Sequence, residues 1–367
     1  MSSDSPAHYL VVGGAGFLGS HIVQALVDRG EQHVAVYDPR VPASRERIQN
    51  VLYIEGDICD FDKLLVTISQ NGTTVVFHTA SPIHGLAGDI YSRVNVAGTK
   101  TLLKACEQSS VHKLIYTSST GVVWTGADLH GVSESQAPIP QKGYDAYHHT
   151  KAVAENLILS ANGDGLRTVA LRPCGMIGPG DLQLLPRMVR ALAEGQHKVQ
   201  IGNNTNLIDW AYVGNVADAH LLAADRLPPN GVDAPFSDAS VAGQVFFITN
   251  GTPMPSWDVT RKIWRELGAP AADLNPKNVT KIPVWLALCM AYVAEFWAWL
   301  TRGTTEFNRY AVLFTSITQW YNIDKARYQP KVSIEDAIHE AAEWWKKRAG
   351  TEADGVAQSE ERAESAP

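Results

Sequence analysis

The stretch YLVVGGAGFLGSHIVQALVDRG, residues 9–30, decides how the rest of the chain is read. It opens on an apolar run, passes through a cluster of glycines, and continues with apolar residues at helical spacing. Ile22, Leu26 and Val27 share one face of that helix. The order is strand, tight turn, helix. Gly14, Gly16 and Gly19 satisfy G-x-G-x-x-G, and Gly13 with Gly16 and Gly19 gives the related G-x-x-G-x-x-G spacing. Glycines at these points allow the tight turn, the approach of backbone to a pyrophosphate, and close packing of helix on strand. The phosphates would then meet the free N–H groups and the dipole at the helix N-terminus. Gly13, Gly16, Phe17, Leu18 and Gly19 are therefore expected to contact a dinucleotide.

A glycine pattern alone is weak evidence, and here the context supports it. A second strand, HVAVYD (33–38), ends in an acid. Asp38 stands where a carboxylate would hold the adenosine ribose 2′-hydroxyl and repel a 2′-phosphate. This favours NAD, while Arg40 is close enough to leave NADP open. The plain alternative, a shaped turn with Asp38 capping a loop, does not account for the combination.

The alternation continues. NVLYIEGD (50–57), TTVVFHTAS (73–81), HKLIYTSST (112–120) and LRTVALRP (166–173) read as strands, and NVAGTKTLLKAC (95–106) reads as a helix starting near Asn95. Strands separated by helical segments predict an α/β fold, a doubly wound parallel sheet of the Rossmann type. Such sheets bind ligands beyond the C-terminal ends of their strands. Asp57 with Ile58, Ala80 with Ser81, Ser118 with Ser119, and Pro173 all lie at such ends.

YDAYHHTKAVAENLIL (144–159) is helical by period, and Tyr147 and Lys151, four apart, share a face. A tyrosine hydroxyl, with an ordinary pKa of about 10, is a poor base near neutrality. An ammonium one turn away, joined by the positive charge of an oxidised nicotinamide, favours the phenolate. Tyr147 could then take the proton of a substrate alcohol as hydride leaves. Ser119 could hold the same oxygen. The Y-x-x-x-K spacing is common by chance, but the preceding Thr-Ser-Ser strand end in a dinucleotide-binding chain gives it weight. His148 and His149 read as helix-surface residues.

Composition agrees with an enzyme. The 367 residues are 45% hydrophobic and 19% charged, enough for a full core. A net charge of −7 argues against nucleic acid. Cys59, Cys106, Cys174 and Cys289 have no metal-ligand spacing and are expected as buried hydrophobes; no metal site is expected. The N-terminus MSSDSPAHYLVV has neither a basic region nor an apolar one of the secretory kind. Residues 349–367 are expected to be disordered.

GGAGFLG, HTAS, NVAGT, YTSS, YHHTK and LRPCGMIGPGD resemble, in order and spacing, the extended short-chain dehydrogenases/reductases. The resemblance covers nearly all of residues 8–348. It implies Ser119, Tyr147 and Lys151 as the catalytic set, Asn95 in a proton-relay and folding motif, and Pro173 beside the nicotinamide carboxamide. IGNNTNLIDWAYVGNVADAH (201–220) is similar to the 3β-hydroxysteroid dehydrogenase branch, within it to the enzymes that oxidise and decarboxylate 4α-carboxysterols. The implied reaction is NAD(P)-dependent oxidation of the 3β-hydroxyl with loss of the C4 carboxylate as CO2. YHHTK, and a stretch at 322–338 shorter than the family pattern, leave a triterpenoid acid of secondary metabolism open as the substrate. A cofactor-binding sensor is the third reading, and the retained Tyr147 and Lys151 count against it. Arg187 is a guess for the carboxylate partner. The division expected is a cofactor domain over 1–173, including the catalytic helix 144–160, and a substrate lobe over 174–348.

IPVWLALCMAYVAEFWAWL (282–300) carries one charge, Glu295. As a helix it is about 28 Å long, marginal for crossing a hydrocarbon core of roughly 30 Å. On a wheel, Ala287, Ala291, Ala294 and Ala298 share a narrow face opposite Trp285, Cys289, Val293, Phe296 and Leu300. A helix lying in the membrane surface is preferred to a span or a core helix, with Lys277, Lys281 and Arg302 flanking it. The resemblance extends this to the cytosolic side of the endoplasmic reticulum membrane, a sterol C4-demethylation complex, and a homodimer through the helices bearing residues 95–107 and 144–160.

Overall fold

The computed structural model describes residues 6–228, 240–303, 305 and 307–364, and beyond Gly350 by backbone alone. The chain forms two compact units. The first comprises Met1–Met176, Val213–Gly251 and Tyr321–Lys331; the second comprises Ile177–Tyr212, Thr252–Trp320 and Val332–Pro367.

The first unit is built on a seven-stranded sheet. Its strands are β1 (Tyr9–Val12), β2 (Val34–Asp38), β3 (Val51–Glu55), β4 (Val75–His78), β5 (Lys113–Thr117), β6 (Arg167–Pro173) and β7 (Val245–Ile248). Their spatial order is β7-β6-β5-β4-β1-β2-β3. Every pairing in it is parallel. The order reverses between β1 and β4, which is where such sheets open a crevice for a dinucleotide. Helices α1 (Phe17–Asp28), α2 (Phe61–Gln70), α3 (Thr99–Glu107), α4 (Ala146–Ser160) and α5 (Val213–Arg226) connect or follow the strands. A parallel sheet covered by helices needs strands apolar on both faces. Accordingly β1, β2, β4 and β6 are buried along their whole length. Leu10, Val76 and Leu114 of the sheet pack with Leu64, Ile68, Leu102 and Ile158 of the helices.

The expected boundary at residue 173 holds less of the chain in the first unit than the structure does. β7 hydrogen-bonds beside β6, with Ile248 in register with Pro173, so residues well past the boundary belong to the sheet. Residues 321–331 also return to it: the Tyr321 and Phe247 rings lie 4.5 Å apart. Lys325 Nζ donates to the Val245 carbonyl at 2.8 Å. The helical path expected from Asn95 begins earlier, at Gly88, and passes through a widened turn at Ser92–Gly98 before α3.

In the second unit, Leu185, Ile208, Val259 and Ile263 share a core with Ile334, Ile338 and Ala341. These last three lie on the buried face of the helix Ile334–Glu364. That helix continues past residue 349, where composition led us to expect disorder; alanine and glutamate are good helix formers. Helix Val284–Leu300 buries Ala287 and Ala291 against Val312 of the helix Arg309–Ser316. Its bulky face stands in solvent, with Trp285 67%, Val293 69%, Phe296 61%, Trp297 64% and Trp299 73% exposed. Glu295 accepts from Arg309 Nε at 2.7 Å, so the one charge of the segment is neutralised. Cys289 lies on the outward side and is exposed, and Cys59 is half-buried, unlike the buried Cys106 and Cys174. Among the described residues no helix is long and apolar enough to cross a membrane.

Candidate active site

The glycine loop is constrained by its neighbours. A Cβ on Gly13 would lie 2.6 Å from the Ala80 nitrogen, and Gly13 adopts φ +86°. A Cβ on Gly19 would lie 2.1 Å from the Gly13 carbonyl oxygen. The first position lets the end of β4 press against the loop, and the second seats α1 on it. A Cβ on Gly16 meets only the Gly13 oxygen, at 3.2 Å. Gly16 caps α1 without a side chain, and no acid stands in the first turn, which carries Phe17 and the buried Leu18. Uncapped N–H groups beside a bare backbone fit the pyrophosphate of a dinucleotide.

Asp38 is buried at the end of β2. Its carboxylate accepts from the Ala15 N–H at 3.2 Å and the Arg40 N–H at 3.0 Å. The loop itself therefore orients it. Burial pushes its pKa up, against the pull of those two N–H groups. Asp57 takes the Cys59 N–H at 2.9 Å and pairs with Arg93. Burial pushes the Asp57 pKa up, but these partners outweigh it and hold it below the ordinary value. Ile58 turns its side chain into the core, where Gly98 leaves room for it: a Cβ there would be 2.5 Å from Ile58 Cγ2. Ala80 and Ser81 follow β4, and Pro173 ends β6.

Ser119 follows β5 and caps the turn Thr120–Val123, its Oγ accepting from the Gly121 N–H at 3.1 Å. Neighbouring Ser118 is buried. Tyr147 and Lys151 project from α4. Tyr147 has the hydroxyls of Ser119 and Ser81 as polar neighbours. Burial and the neighbouring Tyr91 push its pKa up to about 12, and the two serines pull it down. Lys151 is buried; its ammonium donates to the Thr117 carbonyl at 2.6 Å and lies 4.8 Å over the Tyr116 ring. Burial lowers its pKa to about 7, opposed by the charge of Glu155. In the protein alone the phenol is thus a weak acid, and the positive charge of an oxidised nicotinamide would be needed to favour the phenolate. Asn95 lies in the widened turn. Its side-chain amide donates to Thr150 Oγ1 at 3.1 Å, and its backbone carbonyl accepts from Thr99 Oγ1 at 2.6 Å.

Sequence reading missed three features. His148 is buried, not on the surface as expected, because α4 turns it inward against Trp124, Tyr144 and Tyr147. His149 is exposed. Asp145, the N-cap of α4, binds His148 Nδ1 at 2.7 Å and His84 Nε2 at 2.8 Å. Among the described residues these three bring metal-type ligand atoms together, within 4.8 Å of one another. Here they bond to each other. The third is a buried Glu155–Arg172 pair behind Lys151. An acid just ahead of a helix is a capping signal; nothing local marks the partner His84, sixty-one residues away.

Comparison with known proteins places this geometry. Residues 10–279 match the model of the 3-beta hydroxysteroid dehydrogenase/isomerase family. The chain is 39% identical over 348 residues to sterol-4-alpha-carboxylate 3-dehydrogenase, decarboxylating, of Schizosaccharomyces pombe, covering 92% of this chain and 98% of that one. It is 32% identical over 338 residues to 2-alkyl-3-oxoalkanoate reductase of Stenotrophomonas maltophilia, covering 90% and 96%. The fold is shared with dTDP-glucose 4,6-dehydratase of Bacillus anthracis, solved with NAD, at a TM-score of 0.66 and 20% identity over 93% of this chain and 97% of that one. A sheet that reverses at its glycine loop, a Ser119–Tyr147–Lys151 set beside it, and a match spanning most of the chain make this protein a member of the 3-beta hydroxysteroid dehydrogenase/isomerase family.

Proposed function

We propose that the chain oxidises the 3β-hydroxyl of a 4α-carboxysterol to the ketone with NAD, and that the C4 carboxylate then leaves as CO2. The observation that carries this is Tyr147, with the Ser119 hydroxyl as a polar neighbour, one helical turn from the buried Lys151. The relatives supply the substrate class. Each is named for a carbon–oxygen centre β to a carboxylate. Bound at the glycine loop, NAD would supply the hydride acceptor. The carboxylate of Asp38, held by the loop, favours NAD over NADP.

Tyr147 accepts the alcohol proton at its phenolic oxygen, Ser119 holds the substrate oxygen, and the C3 hydrogen departs as hydride. Lys151, fixed by the Thr117 carbonyl, places its amine under the tyrosine helix and stabilises the phenolate when protonated. The ketone formed is β to the carboxylate. The bond from C4 to the carboxyl carbon breaks, CO2 leaves, and the electron pair delocalises onto the ketone oxygen as an enolate. The hydroxyls of Ser119 and Tyr147 are placed to donate to that oxygen. A proton from water at C4 completes the ketone.

The test is NADH formation by detergent-solubilised protein with a 4α-carboxysterol and a 4α-methylsterol side by side. NADH and CO2 from the acid alone are expected. Failure on both, with NAD still bound, overturns the reading and directs the assay to triterpenoid acids.

The same proposal includes the membrane. The exposed tryptophans and Phe296 of Val284–Leu300, the flanking Lys277, Lys281 and Arg302, and the neutralised Glu295 support a helix lying in the bilayer surface. A sterol acid resides at that interface. On the family resemblance we place the protein at the cytosolic side of the endoplasmic reticulum membrane, as a homodimer within a sterol C4-demethylation complex.

A further inference from the structure

The turn Thr120–Val123, which Ser119 caps, is held differently at its two ends. Its later residues, Val122 and Val123, are buried with Ala152 of α4 in a small apolar core. At its start Ser119 and Gly121 are only half-buried, and what meets Gly121 is the His148 ring. A Cβ on Gly121 would overlap His148 Cδ2 and stand 2.6 Å from Nε2 and 3.3 Å from Ser119 Oγ. The φ of Gly121 is not positive, so the space taken by the ring, not the backbone conformation, calls for glycine there. The Gly121 N–H donates to Ser119 Oγ at 3.1 Å, so the residue that the ring presses on also holds the serine hydroxyl.

The His148 ring is itself fixed. It is buried, and Asp145 Oδ1 holds its Nδ1 at 2.7 Å. Asp145 is held in turn by the His148 N–H at 2.9 Å and by His84 Nε2 at 2.8 Å. Trp124, which ends the turn, stands edge-on to His148 at 5.8 Å and stacks on Tyr144 at 4.3 Å. The same imidazole stands edge-on to the Tyr147 ring at 5.4 Å. One side chain of α4 thus touches both ends of the Ser119 turn and the ring of the tyrosine.

We propose that His148 is a positioning residue for the reaction: oriented by Asp145, its ring fills the space beside Gly121 and fixes the turn that carries the Ser119 hydroxyl. This rests on the reading above in which Ser119 holds the substrate oxygen. A group that must meet a reacting oxygen is effective only when its own support is locked by packing and hydrogen bonds, and a displacement of about 1 Å costs on the order of a hundredfold in rate.

The test uses the full-length protein in detergent with NAD and a 4α-carboxysterol, comparing His148→Ala, His148→Phe, Gly121→Ala, and Gly121→Ala with His148→Ala. kcat is referred to the NAD-binding fraction, so that unfolded protein does not count. His148→Ala and Gly121→Ala should each lower kcat by roughly ten- to a hundredfold, with NAD affinity little changed. His148→Phe keeps a flat ring against Gly121 and should recover most of the loss. In the double variant the added methyl enters the space that the ring has left, so it should turn over faster than Gly121→Ala alone. An unchanged kcat in His148→Ala, or a double variant no faster than Gly121→Ala, overturns the proposal. Hydrogen exchange at the Gly121 amide reads the turn without turnover. It should quicken in His148→Ala and return toward the wild-type rate in His148→Phe; unchanged exchange in His148→Ala overturns the proposal. If the wild type does not turn over this substrate, the proposed function has failed, and the exchange measurement alone decides the role of His148.

Discussion

Glu155 and Arg172 form a two-point ion pair inside the protein, with Arg172 Nε to Glu155 Oε2 at 2.9 Å and Nη2 to Oε1 at 2.5 Å. Glu155 has no exposed surface, and Arg172 is 4% exposed. The pair fastens α4, which carries Tyr147 and Lys151, to β6 just before Pro173. Removing one partner strands a buried charge. Glu155→Gln should therefore cost about 3–5 kcal/mol, read by denaturant unfolding. Glu155 also favours the charged form of Lys151, so the same variant should move the Lys151 pKa further down. A loss within 1 kcal/mol, roughly the range of an exposed pair, would show that the buried geometry is not maintained in solution.

Tyr147→Phe keeps the ring and its aromatic neighbours and removes only the proton acceptor. NADH formation should fall by roughly 10²–10⁴, the usual range for a general base, while NAD binding measured by calorimetry persists. Turnover close to wild type would remove Tyr147 from the base role.

Lys151 gives a pH signature. Burial lowers its folded-state pKa to about 7 from the ordinary 10.5. Between these values the unfolded chain binds more protons than the folded one, so this group makes stability rise with pH over that window. Below it both states carry the charge, and the folded state bears the full cost of burying it. Lys151→Met should therefore stabilise the protein more at about pH 6 than at about pH 9, while abolishing turnover. Equal effects at the two pH values would mean that the ammonium is not desolvated.

Gly13→Ala should abolish NAD binding. The added carbon meets the backbone of Ala80, which cannot move without shifting the end of β4, and φ +86° is strained for any side chain. Asp38→Ser removes the charge that repels a 2′-phosphate and should raise NADP affinity relative to NAD, read by competitive binding. A ratio unchanged by that substitution would assign cofactor choice to other groups.

Replacing Trp285, Phe296 and Trp299 together by serine should leave thermal stability nearly unchanged, since all three are exposed. It should release the protein from anionic lipid vesicles in sedimentation. Retention on vesicles would move the membrane contact elsewhere.

The cofactor half of this protein is written locally. Strand, glycine turn, helix and a following acid lie within one short stretch, and the backbone chemistry of glycine leaves few other readings; β1, α1, β2 and the loop-held Asp38 follow from residues 9–38. The Tyr147–Lys151 pairing is also local, because four residues make one helical turn. The wheel of residues 282–300 put Ala287 and Ala291 on the covered face and Trp285, Val293 and Phe296 on the outward one, as the structure has them; Ala294 and Ala298, expected on the covered face, are only half-buried, and the exposed Trp297 and Trp299 were not placed by it. Partnerships between distant segments were not legible. His84 finds Asp145, Glu155 finds Arg172, and β7 joins β6 far from the rest of its sheet, because tertiary packing brings together side chains that no sequence periodicity relates. His148 was misread for the same reason: beside Tyr147 it looked like a surface residue, and only the packing of Trp124 and Tyr144 turned that face of α4 inward. The sequence by itself thus determined the glycine turn and the pairing of Tyr147 with Lys151 on one helical face. The tertiary structure decided what surrounds that pair and holds its helix in place, since hydrogen bonds and ion pairs depend on proximity in space and not along the chain.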